Sequence, residues 1–368
     1  MKKLILILAF VIILSSFVYA AEMDIILDGK LSSLSGDVVL YKTEDGDIPM
    51  VPLERFAGLL GAKLRYVHSE QMAIVQLGEK TIKLRRSNLH VACGGRAWML
   101  PAKPVIKDRQ LYVPIISLGE MMCARTMYDR ENSKLYLSTA PTGLPKDRKI
   151  SVPILMYHAV NEKPWGLKEL FMRPSDMEAQ IKYLAENGFN TVTFEDLPNI
   201  DKIEKPVMLT FDDGYEDNYT DLFPILKKYN AKATIFVITD SVGGKNMLTA
   251  EQIKEMSDSG LVSIQSHTST HPSMVSLKET ALLRELNDSK MNLARLTGKI
   301  PFVLAYPNGE FNQAVTVAME EYYEYGLKKQ GGIYVTDDKP YEINRIRVSR
   351  STTLSTFKSL VKSAGNIN

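Results

Sequence analysis

From residue 150 onward the chain alternates short apolar runs with helical stripes. Residues 152–157, 191–194, 207–211, 233–238, 262–265 and 302–304 read as buried strands, because each is a brief run without a polar face. Ser175 and Glu178 have the spacing of a capping box, ahead of a helix whose inner face is Met177, Ile181 and Leu184. Leu283, Leu286, Leu293 and Leu296 fall on one face of a later helix. Strands separated by helices imply parallel βαβ units. This many units predicts an α/β fold, a barrel or an incomplete barrel, in which active residues sit at the C-terminal ends of strands.

The first part of the chain has a different texture. The segment Val51-Pro52-Leu53, then Gly61-Ala62-Lys63-Leu64-Arg65-Tyr66, recurs as Val113-Pro114-Ile115, then Cys123-Ala124-Arg125-Thr126-Met127-Tyr128. Both pieces recur at the same offset, and each copy continues into a strand-like run, at 73–77 and 134–137. The predicted unit is a strand, a short helix and two strands, used twice. Neither copy clusters His, Asp or Cys in a way that could hold a metal or run acid–base chemistry. His68 and His90 are isolated and read as surface residues. A smaller α+β domain over residues 24–140 is therefore expected, followed by a linker at 139–149 rich in Pro, Gly and charge.

Residues 1–20 have the pattern of a signal peptide. Lys2 and Lys3 precede an apolar run at 4–18, and Val18-Tyr19-Ala20 ends it with small residues at the two positions that signal peptidase reads. A run of about 15 residues is short of the ~20 that a membrane span needs. The expectation is a protein exported to the medium, the cell surface or the wall, with an uncleaved anchor as the other reading. No Cys follows the run, so a lipid anchor at that site is not expected. Cys93 and Cys123 are the two cysteines of the chain; a disulfide and two buried thiols are both open readings. A net charge of +2 points to no polyanionic partner, and nucleic-acid binding is not suggested.

Chemistry concentrates at the ends of the predicted strands. Residues 207–211 run into Asp212-Asp213-Gly214, 262–265 into Ser266-His267-Thr268-Ser269-Thr270-His271, 152–157 into His158, and 302–304 into Ala305-Tyr306-Pro307-Asn308-Gly309. Asp-Asp-Gly alone is turn chemistry, and Pro272 argues against a helix for the His-x-x-x-His pair. Taken together, one carboxylate and two imidazoles make a three-ligand set that leaves coordination positions open, as a catalytic metal site requires.

These motifs resemble the polysaccharide deacetylase family, also called the NodB-homology or carbohydrate esterase family 4 domain, over about residues 150–365. The resemblance implies a distorted (β/α) barrel and a divalent metal, usually zinc, that serves hydrolysis of N-acetyl groups on sugars. Position by position it implies Asp212 as general base and Asp213, His267 and His271 as metal ligands. Residues 154–158 and 305–309 are similar to the branch that deacetylates biofilm poly-N-acetylglucosamine, which implies His158 as general acid. Residues 24–140 resemble the copper amine oxidase N-terminal-like domain, a stalk or wall-binding module in exported bacterial proteins; no copper chemistry follows from the name.

Two departures bear on activity. Family members carry an Arg where this chain has Ala305, and a late His that this chain lacks beyond His271. Arg345 and Arg347 are both candidates to replace the Arg. The reaction expected is removal of N-acetyl groups from an N-acetylglucosamine-containing wall or extracellular polysaccharide. Zinc is the expected metal, and the metal with a backbone N–H near Asn308 would receive the oxyanion. Binding to wall or matrix is expected of the N-terminal domain. The rival class is an inactive exported protein that only binds polysaccharide.

Overall fold

The computed structural model describes residues 18–44, 46–86, 88–123, 125–144 and 149–364. Most of the expected signal peptide, residues 1–17, lies outside the described residues; Val18–Ala20 forms a strand antiparallel to Val39–Thr43. The chain forms two compact units, one of Met1–Ile25 with Leu31–Leu135 and one of Ile26–Lys30 with Tyr136–Asn368.

In the first unit the repeated sequence becomes repeated structure. Strand Gly46–Pro52 leads into helix Leu53–Leu59 and strands Lys63–Val67 and Met72–Leu77. The second copy runs Gln110–Pro114, helix Ile115–Met122 and Arg125–Asp129, and its last strand, Lys134–Ser138, continues into the second unit. The copies meet through equivalent positions: the two leading strands pair antiparallel with Val51 opposite Val113. Pro52 and Pro114 each stand as the N-cap of their helix, where a missing N–H costs nothing. Leu53 and Phe56 in one copy, and Ile115 and Leu118 in the other, are fully buried. Cys93 and Cys123 are two buried free thiols with no disulfide between them.

The second unit is built on an eight-stranded sheet whose strand pairs are all parallel. Its order is Tyr325–Leu327, Val303–Ala305, Val262–Ser266, Ala233–Val237, Pro206–Phe211, Ile154–Tyr157 and Ile346–Arg347, with Asn190–Val192 beside the start of Pro206–Phe211. The sheet curls until its edges are joined by one short segment. Ile343 bridges to Leu327 at one edge, and three residues later Ile346 pairs with Leu155 at the other. This is the distorted barrel expected from the sequence.

Alternation along each strand decides which residues reach the mouth. Leu155, Tyr157, Val207, Leu209, Phe211 and Ile264 pack outward with Met177, Ile181 and Leu184 of helix Pro174–Glu186 and with Leu293 of helix Glu279–Thr297. Ile154, Met208, Phe236, Val303 and Ala305 form a separate inner cluster. The inner parity continues through Thr210 to Asp212, from Ile154 to His158, and from Ser263 through Gln265 to His267.

Two local expectations are corrected. Ser175 and Glu178 make no capping box: helix Pro174–Glu186 starts with Pro174 at N1, Arg173 is the N-cap, and no side chain caps it. The fixed φ of proline suits that first position, so the helix begins upstream of Ser175. The buried stripe of helix Glu279–Thr297 is Leu282, Leu286, Ser289 and Leu293, while Leu283 and Leu296 lie on its half-buried flank.

Candidate metal centre and catalytic site

Pro206–Phe211 is buried along its whole length, so it delivers Asp212 and Asp213 to the barrel mouth at a fixed height. Asp213 then turns with φ 76°, followed by Gly214 at φ 79°. Gly214 leaves little room for a side chain, since a Cβ there would lie 3.3 Å from Val237. The next strand but one, Val262–Ser266, ends at His267. The loop after it is no helix, and Thr268 (φ 66°) and His271 (φ 60°) adopt left-handed backbone. Four non-glycine residues of the mouth, counting Asn308 at φ 58°, hold this unfavourable conformation. That turn swings His271 back toward Asp213.

The result is a compact donor set. His267 Nε2 lies 3.4 Å and His271 Nε2 3.8 Å from Asp213 Oδ1. One ligand atom from each of the three residues lies within 4.8 Å of the others. His267 is oriented from behind, its Nδ1 lying 2.7 Å from the Ala305 carbonyl oxygen. With Nδ1–H donated there, the Nε2 lone pair faces the centre, the usual arrangement behind a metal-binding imidazole. Burial works against charge on Asp213, but when His267 is the imidazolium its Nε2–H and positive charge, with the charge of His158, outweigh burial and hold the carboxyl well below its usual range. The donors fit a divalent cation of the zinc type: one anionic oxygen and two imidazole nitrogens, with no fourth protein ligand of that kind grouped with them among the described residues.

Asp212 sits in a different environment. It is 4% exposed and gripped by Arg345, whose Nη1 and Nη2 donate to Oδ1 and Oδ2 at 2.6 and 2.8 Å. Arg345 Nε donates to the Lys328 carbonyl at 2.8 Å, so the guanidinium is itself held in place. Burial pushes the Asp212 carboxyl up; the Arg345 and His267 charges outweigh that and the net shift is downward. Arg345 lies in the segment that joins the sheet edges, whereas Arg347 is exposed. Of the two candidate arginines, Arg345 is the one that contacts Asp212.

His158 follows Ile154–Tyr157. Burial lowers its pKa, opposed by the Asp212 and Asp213 charges. Its backbone is braced by neighbours that sequence reasoning did not single out. Asn218 Nδ2 donates to the His158 carbonyl at 2.9 Å, and Val160 N–H donates to Asp217 Oδ1 at 2.9 Å. Asn218 opens a π-helical turn, Asn218–Leu222, a rare form that often marks functional sites. Tyr215, two residues beyond Asp213, is another neighbour that sequence reasoning did not single out; burial, with the Asp213 charge, pushes its pKa up. Asn308 is exposed within Pro307–Gly309 at the same end of the barrel.

The comparisons with known proteins agree with this geometry. The polysaccharide deacetylase profile matches residues 199–326, and the copper amine oxidase N-terminal domain profile matches residues 35–137. YxkH of Bacillus subtilis (strain 168), provisionally named a polysaccharide deacetylase, is 32% identical over 281 residues, covering 69% of this chain and 99% of that protein. The chain belongs to the polysaccharide deacetylase family. A poly-β-1,6-N-acetyl-D-glucosamine N-deacetylase of Staphylococcus aureus (strain N315) is 28% identical over 290 residues, 70% of this chain and 97% of that one. Among solved structures, BC0361, a polysaccharide deacetylase from Bacillus cereus, matches with a TM-score of 0.56 and 26% identity, covering 82% of this chain and 99% of that chain. Streptococcus pyogenes deacetylase PplD, solved in complex with acetate, gives 0.55 and 28%, over 58% and 99%. The chain is thus a deacetylase of acetylated polysaccharide, a hydrolase, with a group of residues suited to the divalent metal that this family generally uses.

Proposed function

We propose that this deacetylase is an exported, zinc-dependent enzyme that removes N-acetyl groups from an N-acetylglucosamine-containing wall or extracellular polysaccharide. The observation that carries the reading is the pairing of two differently held carboxylates at one barrel mouth. Asp213 faces two imidazoles, and Asp212 faces a buried guanidinium.

A divalent cation held by Asp213, His267 and His271 would polarise the acetyl carbonyl and acidify the attacking water. Asp212 is the general base. Its lowered pKa keeps it ionised at neutral pH and makes it a weak base, which suffices once the water's own acidity is raised. Arg345 fixes both oxygens, so the base cannot rotate away from the proton it accepts. His158, as imidazolium, gives a proton to the sugar nitrogen as the C–N bond breaks, leaving acetate and an amine. Its lowered pKa makes the imidazolium a stronger but scarcer acid near neutral pH. A backbone N–H near Asn308 shares the oxyanion charge. Zinc suits one carboxylate and two imidazoles, although cobalt, iron and manganese also accept such a set.

The name of the Staphylococcus aureus relative supports an N-acetylglucosamine polymer as substrate. Export rests on the 1–20 pattern, and attachment to wall or matrix rests on the repeated N-terminal unit. The inactive, binding-only reading loses ground because Arg345 supplies the guanidinium that Ala305 cannot. The test is acetate release from peptidoglycan, β-1,6-poly-N-acetylglucosamine, chitin oligomers and an O-acetylated glycan, using chelator-treated protein with single metals added back. Metal-dependent release from at least one N-acetylated polymer is expected. No release from any of them with any metal would overturn the proposal in favour of a binding protein.

A further inference from the structure

Residues 161–171 form a loop whose neck is fixed from two sides. Ala159–Val160 pairs in parallel with Phe171–Met172, and Asn161 N–H donates to the Met172 carbonyl at 2.9 Å. Arg350, 8% exposed, then threads the neck. Its Nη1 donates to the carbonyls of Asn161 at 3.1 Å and Phe171 at 2.7 Å, and its Nη2 to that of Glu162 at 2.9 Å. A buried guanidinium spent on three backbone oxygens across both ends of one loop makes that loop rigid. The loop begins three residues after His158.

What the loop carries is apolar and uncovered. Trp165 is 46% exposed and Leu167 77% exposed. The indole is held perpendicular to two rings, Phe171 (centroids 5.0 Å apart, 80°) and Tyr215 (5.1 Å, 83°). Tyr215 follows Asp213 by two residues, and the charge of that carboxylate acts on its hydroxyl. Trp165 therefore stands one side chain away from the proposed metal ligands, with its plane set before any ligand arrives. Gly166 beside it leaves no slack, since a Cβ there would be 3.3 Å from the Phe171 ring. A large aromatic normally buries its area or uses it. A fixed loop displaying one at the rim of a reaction site spends little entropy on binding.

We propose that Trp165 is a sugar-binding platform on which a pyranose of the acetylated polymer, next to the residue being deacetylated, lays its C–H face. The occupant follows from chemistry: an equatorially substituted sugar ring has an apolar face that matches an indole, and its rim of hydroxyls stays in water. This inference rests on the deacetylase reading of the same site. It assigns Trp165 to binding of chain length and leaves the bond-breaking step to other residues.

The experiment compares Trp165→Ala and Trp165→Phe with the wild-type holoenzyme on two substrates: N-acetylglucosamine pentamers (β-1,4 and β-1,6) and a small aryl acetate. The expected result for Trp165→Ala is a roughly tenfold rise in KM for whichever pentamer is cleaved, with kcat within about twofold. Aryl acetate hydrolysis should fall far less than pentamer hydrolysis, and Trp165→Phe should recover most of the pentamer KM. An unchanged pentamer KM, or an equal loss on both substrates, overturns the proposal. Binding is read separately: Trp98 and Trp165 are the chain's two tryptophans, so pentamer should quench fluorescence in wild type and not in Trp165→Phe. If wild type releases no acetate from any pentamer, the deacetylase reading fails, and the quenching still decides the platform. Equal quenching in wild type and Trp165→Phe, or none in either, overturns it.

Discussion

Replacing Arg345 with Met should expose how much the barrel depends on one ion pair. The substitution keeps the volume of the stem and deletes the guanidinium, with its bonds to Asp212 at 2.6 and 2.8 Å and to the Lys328 carbonyl at 2.8 Å. Both partners are nearly sealed from water, their side chains 1% and 5% exposed. Removing one member of such a pair leaves a buried charge alone, at about 3–5 kcal/mol. For a domain of about 200 residues that is a fall in Tm of roughly 6–20 °C. The pH dependence has a definite sign. In the wild type the folded-state pKa of Asp212 is lowered, so its stabilisation is present at neutral pH and is lost only as pH falls through that low value. In Arg345→Met, burial raises the same carboxyl. Its cost is greatest at neutral pH and is relieved on acidification, as the group takes up a proton. The stability gap between the two proteins should thus be widest near pH 8 and should narrow toward pH 5. Thermal unfolding followed by near-UV circular dichroism across that range, in chelator, measures it. Arg345→Lys should recover part of the loss, because an ammonium keeps the charge but not the two-pronged geometry. A Tm within 2 °C of wild type at pH 8, or a gap that widens in acid, would refute the reasoning.

His158→Ala should retain metal stoichiometry by elemental analysis while kcat falls about 10²–10⁴-fold, as expected for loss of a general acid; loss of metal would make His158 a ligand instead. Activity of the wild type should decline as pH rises through a value below the ordinary histidine range, since burial lowers the His158 pKa, and a plateau extending to pH 8 would contradict the acid role. N-terminal sequencing of secreted protein should begin at Ala21, and a mature chain retaining Met1 would favour an uncleaved anchor.

The strands, and the positions of His158, Asp212, Asp213, His267 and His271 at or just beyond their ends, were legible because strand and turn signals are local. A run such as Val207 to Phe211 breaking into Asp-Asp-Gly declares both the element and its mouth. The internal repeat was legible for the same reason, and the pairing of Val51 with Val113 gives it a physical basis. The segment that closes the sheet was not legible. Arg345 and Arg347 look alike in sequence, and only the span from Ile343 to Ile346, pairing first one edge and then the other, brings Arg345 to Asp212. Trp165 gives no periodic signal because it sits on a loop, and Arg350 acts through backbone oxygens, which carry no sequence identity. The displaced helix start came from weighing Ser175 above Pro174; the leucine face was right at Leu286 and Leu293, and its centre lies toward Leu282 and Ser289, so that Leu283 and Leu296 flank it.

The account turns on adjacent carboxylates doing different work, and elemental analysis beside acetate release on Asp212→Asn and Asp213→Asn tests that most directly. Asp213→Asn replaces an anionic ligand by a neutral amide, so bound metal should fall, and excess metal should restore part of the activity. Asp212→Asn leaves Asp213, His267 and His271 in place, so full metal occupancy should persist while acetate release collapses and added metal does not rescue it. The reverse pattern, metal lost in Asp212→Asn and kept in Asp213→Asn, would contradict the assignment. Full metal and full activity in both would contradict the site itself.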